Sequence, residues 1–487
     1  MKVVIVGSGT AGLMSALYLK EAFPLYDITV VSSSKIGIIG VGEGSTEHWK
    51  QFQDFCKIDS TDMITKTDAT CKFGIKFENW SVKNKEYFHS INTAASLFRG
   101  SFIASYANAI YRDGLLTNKF ANLGRSEYDI HYYENFQNQI PQFHFDTNKL
   151  NRYLQDLSIE RGIRFVDDEF ISLNRNSDTG FIESINLESN EPIYGDFFID
   201  ASGLQRVLMK NLEDQEFISY EEYLPCDSAI AFPTESDPSG RIRAYTRAIA
   251  MNNGWVWEIP TQARRGNGYV FSSKYTTVDG AVEEISSMYS KDVIPAKSFN
   301  FTPGYYKKTW QRNCMAIGLS AAFVEPLEAT SISTSLQQVM LLCSYLPTFN
   351  VKTKYSINEY HRIMDSIMEN ILCMISMHYR TDRVDTAMWR DQAHMKKPEM
   401  LENLLNLWGE RLPEPQDVTR TGYELFQTLH FYHVAQGQNL INVDNAKAQL
   451  KAYDSDNNMD RWYEAFNGDR MSLPLVDHRK ALMGLYG

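Results

Sequence analysis

The chain has 487 residues, more than one ordinary hydrophobic core absorbs, so two or three modules are expected. A formal net charge of −12 argues against a nucleic-acid partner, which would need a basic face. No stretch approaches the roughly 18 uninterrupted apolar residues of a membrane span, and the apolar run after Met1 is too short for a secretory signal. A cytoplasmic protein without a membrane partner is therefore expected. Its six cysteines (56, 71, 226, 314, 343 and 373) form no Cys-x-x-Cys pair and read as reduced, mostly buried thiols.

Residues 2–6 are a short β-rich run that leads into Gly7-Ser8-Gly9-Thr10-Ala11-Gly12. A helical stretch, Leu13 to Ala22, and a second strand, Ile28 to Val31, follow. This is a βαβ opening with a phosphate-binding turn at its first bend. Gly7 permits the tight turn, Gly9 lets backbone approach a pyrophosphate, and Gly12 lets helix and strand pack closely. The helix start then offers free N–H groups. The acid expected on the ribose is missing, because Ser32-Ser33-Ser34 stands at the end of the second strand.

A second glycine-rich loop, Ile39 to Thr46, is suited to lying against a flat ring. Residues 68–80 read as one strand, with Lys72, Gly74, Lys76 and Glu78 on one face. A lysine in such a pattern is most often a solvated edge charge. Phe197 to Gly203 is a buried strand ending in Asp200 and Gly203, a second nucleotide-contacting turn. The region from about 215 to 310 is strand-rich, and Arg264 to Ser273 reads as a hairpin.

Within that region, Gly254-Trp255-Val256-Trp257-Glu258-Ile259-Pro260 puts Trp255, Trp257 and Ile259 on one face of a strand. Taken alone, it is a core strand. From about 333 the pattern is helical, broken at Leu412-Pro413-Glu414-Pro415. His430 and His433 share a helix face among aromatics and read as packing, so no metal is assigned.

The glycine fingerprint, Gly40-Val41-Gly42-Glu43, Gly74-Ile75-Lys76-Phe77, Trp-x-Trp-x-Ile-Pro and Glu325-Pro326-Leu327-Glu328 appear together here. So do Phe143-His144-Phe145-Asp146, Arg264 to Ser273 and His378-Tyr379-Arg380. On these blocks, from residue 1 to about 390, the chain resembles the flavin-dependent tryptophan halogenase family. The resemblance implies an α/β fold: a Rossmann-like FAD-binding module of the flavin monooxygenase type over 1–335. A β-rich substrate region (about 75–140 and 215–310) is inserted in it, and a mainly helical region (336–487) caps the substrate.

It also implies FAD supplied as FADH2 by a separate flavin reductase, a halide as co-substrate and a small aromatic substrate. A homo-oligomer is compatible with it. FAD contacts fall on Gly7, Gly9, Thr10, Ala11, Gly12, Ser32, Gly40, Val41, Gly42, Glu43, Asp200, Gly203, Gly318 and Ile332. The halide falls at the helix start with Thr330 and Ser331, where N–H groups form an anion hole. Lys76 matches the lysine that holds hypohalous acid or carries the halogen, and Glu328 the acid that accepts the ring proton.

Without Lys76, Glu328 is a helix N-terminal acid, favourable by about 0.3–1 kcal/mol. Ala329 departs from the serine common in the family. Trp255, Trp257, Phe88, His89 and Pro326 are expected along the wall between flavin and substrate. Trp462, Tyr463, Glu464 and Phe466 are substrate candidates that read equally as helix packing. The substrate class is an electron-rich indole, phenol or pyrrole. The alternative enzyme is a single-component monooxygenase using its own NAD(P)H, and the non-enzymatic reading is a flavin-binding scaffold.

Overall fold

A computed structural model describes residues 1–37, 42–82, 85–90, 127–131, 142–442, 444–445, 448 and 475–485. The strands of its two main sheets, in chain order, begin with β1 (Lys2–Val6), β2 (Asp27–Ser32), β3 (Gly74–Glu78) and β4 (Glu86–Ser90). Then come β5 (Arg164–Asp167), β6 (Phe197–Asp200), β7 (Ser228–Glu235), β8 (Thr246–Ala250) and β9 (Gly254–Pro260). The last are β10 (Arg264–Phe271), β11 (Lys297–Asn300), β12 (Trp310–Gln311) and β13 (Cys314–Ala316). The helices used below are α1 (Thr10–Ala22), α2 (His48–Phe55), α3 (Thr147–Glu160), α4 (Val278–Tyr289), α5 (Thr330–Tyr345), α6 (Tyr355–His378) and α7 (Thr428–Gly437).

The chain divides into two compact units. The first comprises 1–68, 145–220 and 302–368; the second comprises 69–144, 221–301 and 369–487. The boundary expected at 335 falls inside α5, which belongs to the first unit, and the chain changes unit inside α6 instead. The helical segment beyond 368 clusters with the β-rich region rather than standing as a module of its own.

The first unit is a six-stranded sheet in the order β12-β13-β6-β1-β2-β5, parallel except for β12. This is the 3-2-1-4-5 arrangement of a dinucleotide-binding fold, with β1 central and its ligand edge at the carboxyl ends of the strands. Strands buried on both faces must be apolar throughout, and Val3, Val4, Ile5, Val30, Phe197, Phe198 and Ile199 are. Helix α1 packs on α3 and α5. The expected strands and glycine turn at the N-terminus are all present, with α1 starting at Thr10.

The second unit is a seven-stranded sheet, β11-β7-β10-β9-β8-β3-β4, antiparallel except where β8 meets β3. One face is covered by α4, whose Ala281 and Ile285 pack with Ile230, Phe232, Ile249, Val256, Tyr269 and Phe271. Two local expectations are corrected here. Arg264 to Ser273 is not a hairpin: Arg264–Phe271 is one strand, and the hairpin is β9–β10, turning over residues 261–263. Gly268 sits inside that strand because a Cβ there would lie 2.0 Å from the Trp257 ring. The 68–80 strand is broken as well, into Thr70–Cys71 and β3. Gly74 marks the break, where a Cβ would lie 2.3 Å from the Phe88 ring.

The cysteines are all free thiols, buried except for half-buried Cys343. Among the described residues, no helix is long and apolar enough to cross a membrane, and no cluster of His, Cys, Asp or Glu could hold a metal ion.

Candidate active site

In the first unit the glycine turn is held by backbone contact. Gly7 has φ 115°, and a Cβ there would lie 2.2 Å from the Ala201 carbonyl oxygen. A Cβ at Gly12 would lie 2.1 Å from the Gly7 carbonyl oxygen. Any side chain at either position would push the helix off the sheet. Gly9 meets nothing within 4 Å and gives α1 no side-chain cap. The N–H groups of the first turn, through Thr10, Ala11 and Gly12, are thus left for an outside acceptor. An open, uncapped helix start above two close-packed glycines fits a pyrophosphate. The residues present therefore fit FAD.

The flanks of that turn carry polar groups. Thr10 donates to Asn151 Oδ1 at 2.9 Å, with Glu43 Oε2 3.4 Å away. Burial pushes the Glu43 carboxyl up to about 7, against the Thr10 hydrogen bond. Gly42 is half-buried beside it, whereas Gly40 and Val41 lie outside the described residues. Gly318, at φ 70°, lets the next turn approach α1: a Cβ there would lie 2.7 Å from the Ala11 Cβ. Gly203, at φ 68°, faces open space.

Asp200 departs from its expected role. Its Oδ2 accepts the Leu208 and Met209 N–H groups at 2.8 Å each. Its Oδ1 accepts from the Ser202 hydroxyl at 2.5 Å and the Ser320 hydroxyl at 3.2 Å. A fully buried carboxylate so engaged fixes the turn after β6 and has little left for a ligand. Ser32 ends β2, level with Asp167 of β5.

The segment before α5 supplies the second feature of this unit. Glu328 is 1% exposed, Pro326 half-buried, and Ala329 holds the helix N-cap position in the left-handed region, at φ 55° and ψ 40°. A left-handed alanine costs roughly 1 kcal/mol, and alanine is a poor cap with no acceptor of its own. The first-turn amides of Thr330, Ser331 and Ile332 are therefore not satisfied by their N-cap side chain. A small anion fits them. The loop from residues 42–46 is fastened to this helix, because Thr46 bonds Ser333, and His48 lies 3.2 Å from both Thr46 and Gln337.

In the second unit the expected wall residues separate. Trp255, Trp257 and His89 lie on the sheet face that also carries Phe77 and Tyr87, while Lys76 and Phe88 lie on the opposite face. Trp255 is 1% exposed and packs against Trp80 at 6.3 Å; Trp80 in turn meets Tyr379 and Trp389. This is the core-strand reading of the Trp-x-Trp segment, and Trp257 is the half-buried member of the pair. Phe88 packs edge-on to Tyr245, and His89 meets His430 and His433 at 5.4 and 5.8 Å.

Lys76 does not occupy a secluded position. Its Nζ pairs with Glu86 Oε2 at 2.7 Å, and the Glu86 side chain is 58% exposed. Beside it on the same face, Arg247 holds both Glu78 oxygens at 2.7 Å and Glu258 at 2.5 Å. Lys72 is the contrasting lysine, with no exposed surface. The alternation that put Lys72 and Lys76 on one face fails because the strand breaks at Gly74. The available signal was the Cys71-Lys72-Phe73 setting, apolar on both sides and without an acidic neighbour.

The surroundings of Lys72 include His144, whose charge state responds to it. The Thr70 hydroxyl donates to the Pro260 carbonyl at 2.6 Å, so it can only accept from His144 Nδ1, 3.1 Å away. His144 Nε2 then accepts the Thr246 hydroxyl at 2.9 Å. Burial, with Lys72 nearby, holds this imidazole far below its usual range, and it is neutral.

Comparison with known proteins bears on this arrangement. The sequence pattern of the family described as tryptophan halogenase matches residues 2–453. The chain is similar to the 7-chloro-L-tryptophan 6-halogenase KtzR of Kutzneria sp. (strain 744), 31% identical over 452 residues, covering 85% of this chain and 86% of that one. It is likewise similar to the tryptophan 6-halogenase SttH of Streptomyces toxytricini, 29% identical, covering 86% of this chain and 85% of the relative. In structure it is similar to Tar14, a tryptophan C-6 flavin-dependent halogenase from taromycin biosynthesis, with a TM-score of 0.89, 26% identity and 99% of each chain covered. BrvH, a flavin-dependent halogenase from Brevundimonas sp. BAL3, gives a TM-score of 0.82 at 26% identity, again over 99% of each chain.

Proposed function

The chain belongs to the tryptophan halogenase family of FADH2-dependent halogenases, and from that premise we propose that it halogenates an electron-rich aromatic compound of the indole, phenol or pyrrole type. The named relatives act on tryptophan or chlorotryptophan, which makes an indole the first substrate to try. Reduced FAD, delivered by a separate flavin reductase, supplies with dioxygen the oxidation of halide to hypohalous acid. The uncapped first turn of α5 at Thr330 and Ser331 holds the halide through its N–H groups. Glycines 7, 9 and 12 cradle the cofactor's pyrophosphate.

The observation that carries the chemistry is the burial of Lys72. A lysine that holds hypohalous acid by a hydrogen bond, or carries its halogen, needs an amine protected from bulk water. Lys72, with no exposed surface, meets that need; Lys76, whose side chain is 25% exposed, does not. The oxidising lysine is therefore Lys72 in place of Lys76. Attack by the ring carbon on the halogen forms the carbon–halogen bond and breaks the halogen–oxygen bond; the departing hydroxide becomes water with the proton that Glu328 takes from the ring.

The test supplies enzymatically reduced FAD with chloride, bromide or iodide and a panel of aromatics, read by mass. Halide-dependent incorporation is expected. NADH oxidation without a reductase, giving hydroxylated product in the absence of halide, would favour the single-component monooxygenase and overturn the proposal.

A further inference from the structure

The acid that a dinucleotide-binding fold places at the end of its second strand, on the adenosine ribose, is missing here and replaced by Ser32-Ser33-Ser34. The adjoining strand supplies acids instead. Parallel pairing sets Ser32 of β2 level with Asp167 of β5, one strand spacing (about 4.8 Å) away, and Asp168 and Glu169 follow. Both strands end at the sheet's ligand edge, on the half that takes the first mononucleotide.

Partners separate the three acids. Asp168 Oδ2 is taken by the Ser189 and Asn190 N–H groups at 3.0 and 2.9 Å and by the Asn190 side chain at 2.6 Å. Glu169 is held by Lys35 at 3.3 Å, and the Ser33 hydroxyl also turns to it, at 3.4 Å. Lys35 is further engaged by Glu188 at 2.8 Å. Asp167 alone of the three stays exposed with a single donor residue: its Oδ1 accepts the Ser34 N–H at 2.8 Å. Donation from Ser34 holds its carboxyl below the usual range, so it stays ionised, and it also anchors the loop after β2 to β5.

We propose that Asp167 replaces the missing acid and accepts the ribose hydroxyls of the adenosine half of FAD through its remaining carboxylate oxygen. The proposal rests on the FAD-binding reading above. It makes Asp167 a determinant of FAD over flavins that lack adenosine, and moves that determinant from β2 to β5.

The test is equilibrium titration of the full-length protein with FAD and, separately, with FMN, which has no adenosine. D167A is expected to weaken FAD binding about tenfold, the loss of one hydrogen bond to a charged group, and to leave FMN binding unchanged. In the same background S32E, which returns an acid to the end of β2, is expected to recover FAD affinity. Unchanged FAD affinity in D167A would overturn the proposal, as would an equal loss for FAD and FMN, which marks a distorted cradle. A wild-type protein that binds no FAD defeats the cofactor reading itself, a distinguishable result.

Discussion

Lys76 and Glu86 form an ion pair at 2.7 Å between adjacent strands, on the sheet face opposite Trp255 and Trp257. A pair with one carboxylate more than half exposed contributes at most about 1 kcal/mol. K76A is therefore expected to lower unfolding free energy by no more than that in urea denaturation and to keep the near-UV circular dichroism of the aromatic core. A loss well above this would show that Lys76 serves the sheet in a way its geometry does not reveal.

Gly268 and Trp257 make a second, steric prediction. A methyl at Gly268 would lie 2.0 Å from the Trp257 ring, so G268A is expected to cost about 1–3 kcal/mol by overpacking. In a W257F background, with the bulkier ring gone, the same change should cost clearly less. A double-mutant cycle with no coupling between the two sites would contradict the contact.

The turn after β6 depends on Asp200. In D200N an amide replaces a carboxylate that accepts the Leu208, Met209, Ser202 and Ser320 donors, so donors face donors at the same spot. A destabilisation of about 1–3 kcal/mol is expected, measured by chemical denaturation. Wild-type stability in D200N would mean that the carboxylate is free, as a direct flavin contact would require.

Titrating groups give opposing slopes with pH. Burial lowers His48, His361 and His478 to about 4 and holds His144 well below its usual range, so their stabilising neutral state is present above about 6.5 and lost as pH falls below it. Glu43 runs the other way. Its folded value of about 7 lies above the ordinary 4.5, so its contribution is full below 4.5 and lost as pH rises through 7. E43Q should leave the acid-side loss intact and flatten stability between about pH 5 and 8. Unchanged slope in E43Q would show that Glu43 is solvated.

The legible part of this chain was the part set by short-range rules. The glycine turn with its flanking strand and helix was readable because Gly7 and Gly12 stand where backbone packs on backbone and no side chain fits. The helix start expected at Thr330 and Ser331 is where α5 begins. Lys72 was read as sharing a solvated strand face with Lys76 because strict alternation was carried through Gly74, whereas the strand breaks there and Lys72 is fully buried. The Arg264–Ser273 segment misled for a related reason: its glycines signal a turn locally, yet Gly268 makes room for the Trp257 indole of the neighbouring strand. The surroundings of Asp200 and Asp167 were not legible, because they are set by contacts more than a hundred residues apart, between Asp200 and Ser320 and between Ser34 and Asp167, which no local pattern records.

The central claim is that the solvent-secluded Lys72 performs the oxidant-handling step. The most direct measurement compares K72A and K76A with wild type for halogenated product, under equal reduced-FAD supply, with FAD binding titrated in each. The account predicts that K72A loses halogenation while binding FAD normally, and that K76A keeps most of it. Product retained in K72A and abolished in K76A, with FAD binding intact in both, would contradict it.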